Sequence, residues 1–217
     1  MTLVRETIKN AAVGVCVSQT AEGLSTISKS GCAAAIWQRR PLPSFQSWID
    51  DLGPEHLPEA RVITSPNNVR EVVLQICKAH GIPECSERQI LADDAAALAT
   101  VFNAIMPSLH FQLRFDVIKN NACRKFHIDA VTARLICTYR GTGTQYGIST
   151  DGEDPKRVFT VPTGSAMILR GTLWPEEPKS GLLHRSPPIE DTGETRLLFV
   201  LDPITELESV PDNIKIH

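Results

Sequence analysis

His127-Ile128-Asp129, flanked by Phe126 and Ala130, sets an imidazole and a carboxylate two positions apart. On extended backbone, alternate residues point to one face, so both side chains can meet one ion from adjacent corners. A third ligand has to come from elsewhere in the chain. His184 is the best placed, inside a predicted short strand, Leu182–Arg185. Two imidazoles and one carboxylate on one face of an octahedral ion leave three positions open for chemistry. Joined by Cys123 or Cys137, the same three residues would instead close a tetrahedral Zn²⁺ site with no redox role. The plainer alternative makes His184 a surface histidine ahead of the Pro187-Pro188 turn.

The elements that must position these groups fall into two sets. Asn68 with Glu71 predicts a capped helix from Val69 to about His80, ended by Gly81 and Pro83. Ser86 with Gln89 predicts a second, in which Leu91, Leu98, Phe102 and Ile105 recur at helical spacing until Pro107. A short helix is expected over Phe45–Leu52, and Gly31–Trp37 reads as a buried strand or the lead-in to a turn. From Leu109 the period changes to two: Leu109, Phe111, Leu113, Phe115 and Val117 alternate with polar residues. A second alternation runs Ala133, Leu135, Cys137, Tyr139, and Gly141-Thr-Gly-Thr144 reads as the turn closing it. Further strands are expected at Val158–Val161, Ser165–Leu169, Leu182–Arg185 and Arg196–Leu201. Helices followed by short strands predict an α+β single domain over residues 1–217. Residues 1–107 form its mainly helical part, and 108–205 its β-core with the metal site.

A formal charge of −3 across 217 residues, with no long Lys/Arg run, argues against nucleic acid as a partner. Ala11–Val17 is too short to span a membrane and lacks the flanks of a secretory signal, so a cytoplasmic protein is expected. The six cysteines form no CxxC pair and are expected to be reduced and mostly buried. His56, His80, His110 and His217 have no partner pattern and are read as structural. Trp37, Trp48 and Trp174 are expected in the core or at a pocket rim.

His-x-Asp, a later histidine and an arginine on the final strand together resemble the Fe(II)/2-oxoglutarate-dependent oxygenases. The fold implied is a C-terminal double-stranded β-helix, a cupin-like jelly roll, supported by N-terminal helices. More narrowly, the chain resembles the DUF1826 family of unknown function. That likeness rests on Cys123-Arg-Lys-Phe-His-Ile-Asp129, on Arg134-Leu-Ile-Cys-Thr-Tyr-Arg-Gly-Thr-Gly-Thr144 and on Ile36-Trp-Gln-Arg39.

The oxygenase resemblance implies Fe(II) on His127, Asp129 and His184, with 2-oxoglutarate as cosubstrate and a small-molecule or peptidyl primary substrate. Arg196 would pair with the distal carboxylate of the oxoacid, Arg134 competes for that role, and Tyr139 would face the cosubstrate. Each has a plainer reading. Arg196 could be an edge-strand ion pair with Glu190, Asp191 or Glu194. Arg134 could be a buried pair with Asp116 or Asp129, and Tyr139 a packed strand residue. The DUF1826 likeness also keeps a zinc-homeostasis role open, and a cupin-like metalloenzyme without the oxoacid is a third possibility.

Overall fold

Strict alternation gives a strand two different faces, and here each face of the main sheet meets a different layer. The structure, a computed structural model, describes residues 7–8 and 10–204; His217 lies outside them. In chain order the strands are β1 (Gly14–Ser18), β2 (Cys32–Trp37), β3 (Ala60–Thr64), β4 (His110–Ile118) and β5 (Ala133–Arg140). After them come β6 (Gln145–Ile148), β7 (Phe159–Thr160), β8 (Ala166–Arg170), β9 (Leu182–Arg185) and β10 (Arg196–Ile204). The α-helices are α1 (Pro43–Asp51), α2 (Val69–Ala79) and α3 (Ser86–Ile105). Seven strands form one sheet in the order β1-β2-β8-β5-β10-β4-β3, and β7-β6-β9 form a second.

On the outer face of the large sheet, Phe111, Leu113 and Phe115 of β4, Leu135 of β5 and Phe199 of β10 pack against Phe45, Val73, Leu91 and Phe102 of the helices. On the inner face, Ile136, Met167, Leu198 and Val200 meet Val161 and Leu182 from the small-sheet side. Fully burying each large apolar side chain contributes roughly 1.5–3 kcal/mol, so these two layers fix the sheet in place. By parity, Arg114 on β4, Arg134 on β5, and Arg196 and Asp202 on β10 all share the inner face. The space between the sheets is therefore where polar chemistry collects.

Several expectations need correction. The sheet is not confined to the C-terminal half, because β1, β2 and β3 from the first 107 residues extend both of its edges. β1, β3 and β6 carry too short an alternation to stand out in sequence. Neither predicted capping box forms. Asn68 ends a 3₁₀ turn, Pro66–Asn68, that runs into α2, and its side chain makes no cap bond. Cys85 caps α3 by accepting the Arg88 N–H at 3.4 Å, so Ser86 already lies inside the helix. No helix among the described residues is long and apolar enough to cross a membrane.

Candidate metal centre

His127 and His184 meet through an isolated antiparallel bridge. Each backbone N–H donates to the other's carbonyl, both at 3.0 Å. A reciprocally bonded pair of this kind puts both side chains on one face, and the imidazole centroids lie 4.5 Å apart. The contact is between backbones, so it does not depend on the imidazoles themselves.

Asp129 is held from the opposite side. Its carbonyl accepts the Thr172 N–H at 2.9 Å, and the Gly171 N–H donates to Thr132 at 3.0 Å. A Cβ on Gly171 would stand 1.8 Å from the Val131 carbonyl oxygen, so only glycine lets this turn approach so closely. The result brings the ligand atoms of His127, Asp129 and His184 within 4.8 Å of one another. The Asp129 carboxylate lies 3.5 Å from His127 Nε2 through Oδ1 and 3.0 Å from His184 Nε2 through Oδ2.

The protonation states suit a cation. His127 Nδ1 lies 2.8 Å from the Lys125 carbonyl, which can only accept, so Nδ1 carries the proton and Nε2 is left as the ligand atom. His184 is 5% exposed, which removes the surface-histidine reading. Burial pushes its pKa below the ordinary value, with Asp129 pulling the other way, so near neutral pH it is an uncharged donor. Burial opposes charge on Asp129, yet His127, His184 and Arg134 outweigh it and hold the carboxyl well below the usual carboxylate range. The hydrogen bond to Asp129 raises the His127 pKa above 6.5, against the effect of burial.

Those directions fix a pH dependence. A metal entering the site displaces the His127 proton, whereas Asp129 is already ionised and His184 already neutral. Metal affinity is therefore expected to fall about tenfold per pH unit below the His127 pKa, and to level off above it. Co(II) titrations between about pH 6 and about pH 8 would measure this slope. A flat profile would mean that the ion displaces no proton from His127.

A cleft of about 320 Å³ opens on the triad, lined also by Arg114, Asp116, Cys123, Arg134, Arg185 and Ser186. Arg196 is completely buried behind that wall. Its Nε donates to the Thr142 carbonyl at 2.6 Å, its Nη1 to Ser186 Oγ at 3.1 Å, and its Nη2 is buried without a partner. Ser186 lies two residues past His184, about 7 Å along an extended chain. β10 runs between β5 and β4, so the edge-strand reading of Arg196 fails, and among the described residues no carboxylate pairs with it. Burial lowers its pKa to about 10, partly offset by Glu194. Gly141 has a positive φ of 78°, and a Cβ there would stand 2.9 Å from Arg196 Cγ. The Gly-Thr-Gly-Thr turn is therefore the cradle of this arginine.

The structure does not bring the other expected residues to the same role. Arg134 is no free anion receptor. Its guanidinium grips Asp202 through two hydrogen bonds of 2.6 and 2.7 Å, and its Nη1 forms an ion pair with Asp129 Oδ2 at 2.6 Å. Tyr139 belongs to the helix-facing core, where its hydroxyl donates to Asp94 Oδ2 at 2.6 Å. It cannot face a cosubstrate between the sheets. Tyr139→Phe is expected to cost about 1.5–3 kcal/mol of stability, the worth of a bond to a charged group, and to leave metal affinity untouched. Denaturant unfolding and Co(II) titration would check both halves. Cys137 lies on that same outer face, with its Sγ against Arg39 and the Gly164 carbonyl, so it cannot close a zinc site. Cys123 lines the cleft but is not among the three clustered ligands. Thr142, Ser186 and Asp202 were not singled out from sequence; for Asp202 the parity of β10 was the available signal.

The model of the family described as "Protein of unknown function (DUF1826)" matches residues 18–202. No curated protein matches the chain. Among solved structures, dioxygenase for auxin oxidation 1 from Arabidopsis thaliana, as a binary complex with 2-oxoglutarate, is 11% identical with a TM-score of 0.50. The alignment covers 92% of this chain and 95% of that one. The dioxygenase for auxin oxidation in rice is 11% identical at a TM-score of 0.49, covering 88% and 83%. Full-length T7H of Neurospora crassa, in complex with alpha-KG, is 11% identical at 0.45, covering 94% and 88%. At such identity the likeness speaks for the fold alone, and it rests on the Arabidopsis structure.

Proposed function

The chain belongs to the DUF1826 family, and from that premise we propose that it is an Fe(II)- and 2-oxoglutarate-dependent oxygenase. One observation carries the reading. An imidazole–carboxylate–imidazole cluster and a buried arginine with a free Nη2 lie on the same inner face of an oxygenase-type fold. In this reading the two facing sheets are the double-stranded β-helix, with residues 110–204 as its core and the N-terminal helices as its brace.

The donor set fits the ion. Two neutral imidazoles and one ionised carboxylate suit a borderline divalent metal, and three protein ligands leave half of an octahedral shell open. His127, Asp129 and His184 would hold Fe(II), which when bound supplies the one-electron and dioxygen chemistry that side chains lack. The chain's own contribution is geometric and electrostatic. The Arg196 guanidinium, fixed at two of its nitrogens, offers the third to a carboxylate that comes past Ser186. Its pKa, though lowered, leaves it charged at neutral pH, and a buried charge meets an anion with little screening.

The primary substrate in this reading is a small molecule or a peptide. A groove of about 620 Å³ lined by Glu55, His80, Lys119 and Asn120 adjoins the cleft, and the two share Glu59, Val117, Ile118 and Ala122. It gives the substrate a path to the triad separate from the Arg196 side.

The test is oxoacid turnover. Protein loaded anaerobically with Fe(II) and then exposed to air with 2-oxoglutarate should form succinate, slowly if no substrate is present. No succinate from protein shown to hold its iron would refute the oxoacid part of the reading.

A further inference from the structure

We propose that Arg134, anchored by Asp202, is a positioning residue that holds the Asp129 carboxylate turned toward the two imidazoles of the metal site. The inference rests on the metal-site reading above and adds to it what sets the geometry of the site. Arg134 leaves β5 on the inner face and spans two carboxylates at once. Its Nε and Nη2 form a fork on Asp202 at 2.6 and 2.7 Å, while Nη1 reaches Asp129 Oδ2 at 2.6 Å. The side chains of Arg134, Asp129 and Asp202 are all 15% exposed or less. Asp202 in turn lies 3.9 Å from Arg114, which pairs with Asp116 at 3.2 Å. Charge therefore alternates from the cleft wall to the metal ligand: Asp116, Arg114, Asp202, Arg134, Asp129.

The chain of charges has a specific consequence for the carboxylate. Arg134 never gives up its charge, and its planar fork on Asp202 stops it from swinging away. Oδ2, paired by charge with the arginine, lies 3.0 Å from His184 Nε2, and Oδ1 lies 3.5 Å from His127 Nε2. Both oxygens are thereby held turned toward the imidazoles, and Oδ2 has no hydrogen-bond partner of its own. A carboxylate free of that tether could rotate away from the imidazoles and would offer a cation a less ordered donor set. The orientation of the donor set thus depends on Arg134 as well as on the ligand residues themselves. Lysine could not substitute, since a point charge on a flexible stem cannot bridge two carboxylates in fixed directions.

Co(II) serves as the probe, because its affinity and visible absorption bands are read without turnover. Arg134→Gln and Asp202→Asn are each expected to weaken Co(II) binding about 10–100-fold, as loss of an outer partner does, and to alter the bands. The double variant should lose no more than the worse single one, because both break one link. Arg134→Lys should rescue only in part. The idea is overturned if folded Arg134→Gln and Asp202→Asn both bind Co(II) within about threefold of the parent, with unchanged bands. His127→Ala separates the two levels of the reading. If it weakens binding while the Arg134 and Asp202 variants do not, only the positioning role is lost. If the parent does not bind Co(II), or His127→Ala leaves binding unchanged, the metal site itself is refuted and this inference with it. Should Arg134→Gln fail to fold, Asp202→Asn, which keeps the arginine, decides alone.

Discussion

His184→Ala is expected to abolish succinate formation and to weaken Co(II) binding by more than the roughly 100-fold that loss of an outer partner can cost. The variant should still fold. His184 joins the structure through its backbone bridge to His127, and that bridge survives truncation of the ring. The ring lies against the His127 ring and the Asp129 carboxylate, and what is lost there is a donor atom. Without it, a cation would meet one imidazole and a carboxylate still tied to Arg134. That is too few ligands to compete with water. A folded His184→Ala protein with parental Co(II) affinity would end the metal-centre reading, whatever the fold resembles.

The parts of this site that were legible in sequence are those governed by period-two geometry. His127 and Asp129 share a face because they are two apart on extended chain, and Arg196 shares one with Asp202 for the same reason. The same rule, pressed further, excludes one expectation. Arg134 and Tyr139 lie on opposite parities of a single strand, so both could not face one cosubstrate. The alternation Ala133, Leu135, Cys137, Tyr139 already assigned the tyrosine to the apolar side. A bulge confirms how local this geometry is: β10 shifts register against β5 between Leu197 and Leu198, close to Tyr139.

Other features were hidden for different physical reasons. The pairing of His127 with His184 is a long-range backbone contact, and no local pattern encodes it. The caps failed because a residue's propensity to cap yields to the path of the chain before it. The 3₁₀ turn at Pro66–Asn68 uses Asn68 as helix, and Cys85 takes the cap one residue ahead of Ser86. The three N-terminal strands contribute five or six residues each, and they join a sheet whose centre is set by later sequence.

Arg196→Met is expected to separate stability from ligand binding. A buried arginine with no carboxylate partner among the described residues carries an unrelieved desolvation penalty, which is what lowers its pKa to about 10. Methionine fills similar space without charge, and leaves only the Thr142 carbonyl and the Ser186 hydroxyl to find other partners. Unfolding free energy should therefore change by no more than about 1 kcal/mol in either direction. Affinity for 2-oxoglutarate, measured on Co(II)-loaded protein, should fall by about 2 kcal/mol or more, roughly 30-fold, because a desolvated carboxylate loses its cation. Co(II) affinity itself should stay at the parental value, which distinguishes this variant from His184→Ala. A loss of several kcal/mol in stability with unchanged oxoacid affinity would make Arg196 a strut for the Gly141–Thr144 turn. The buried charge would then need a structural explanation. As the geometry stands, a free Nη2 on a fully buried guanidinium is costly to maintain unless an anion comes to it.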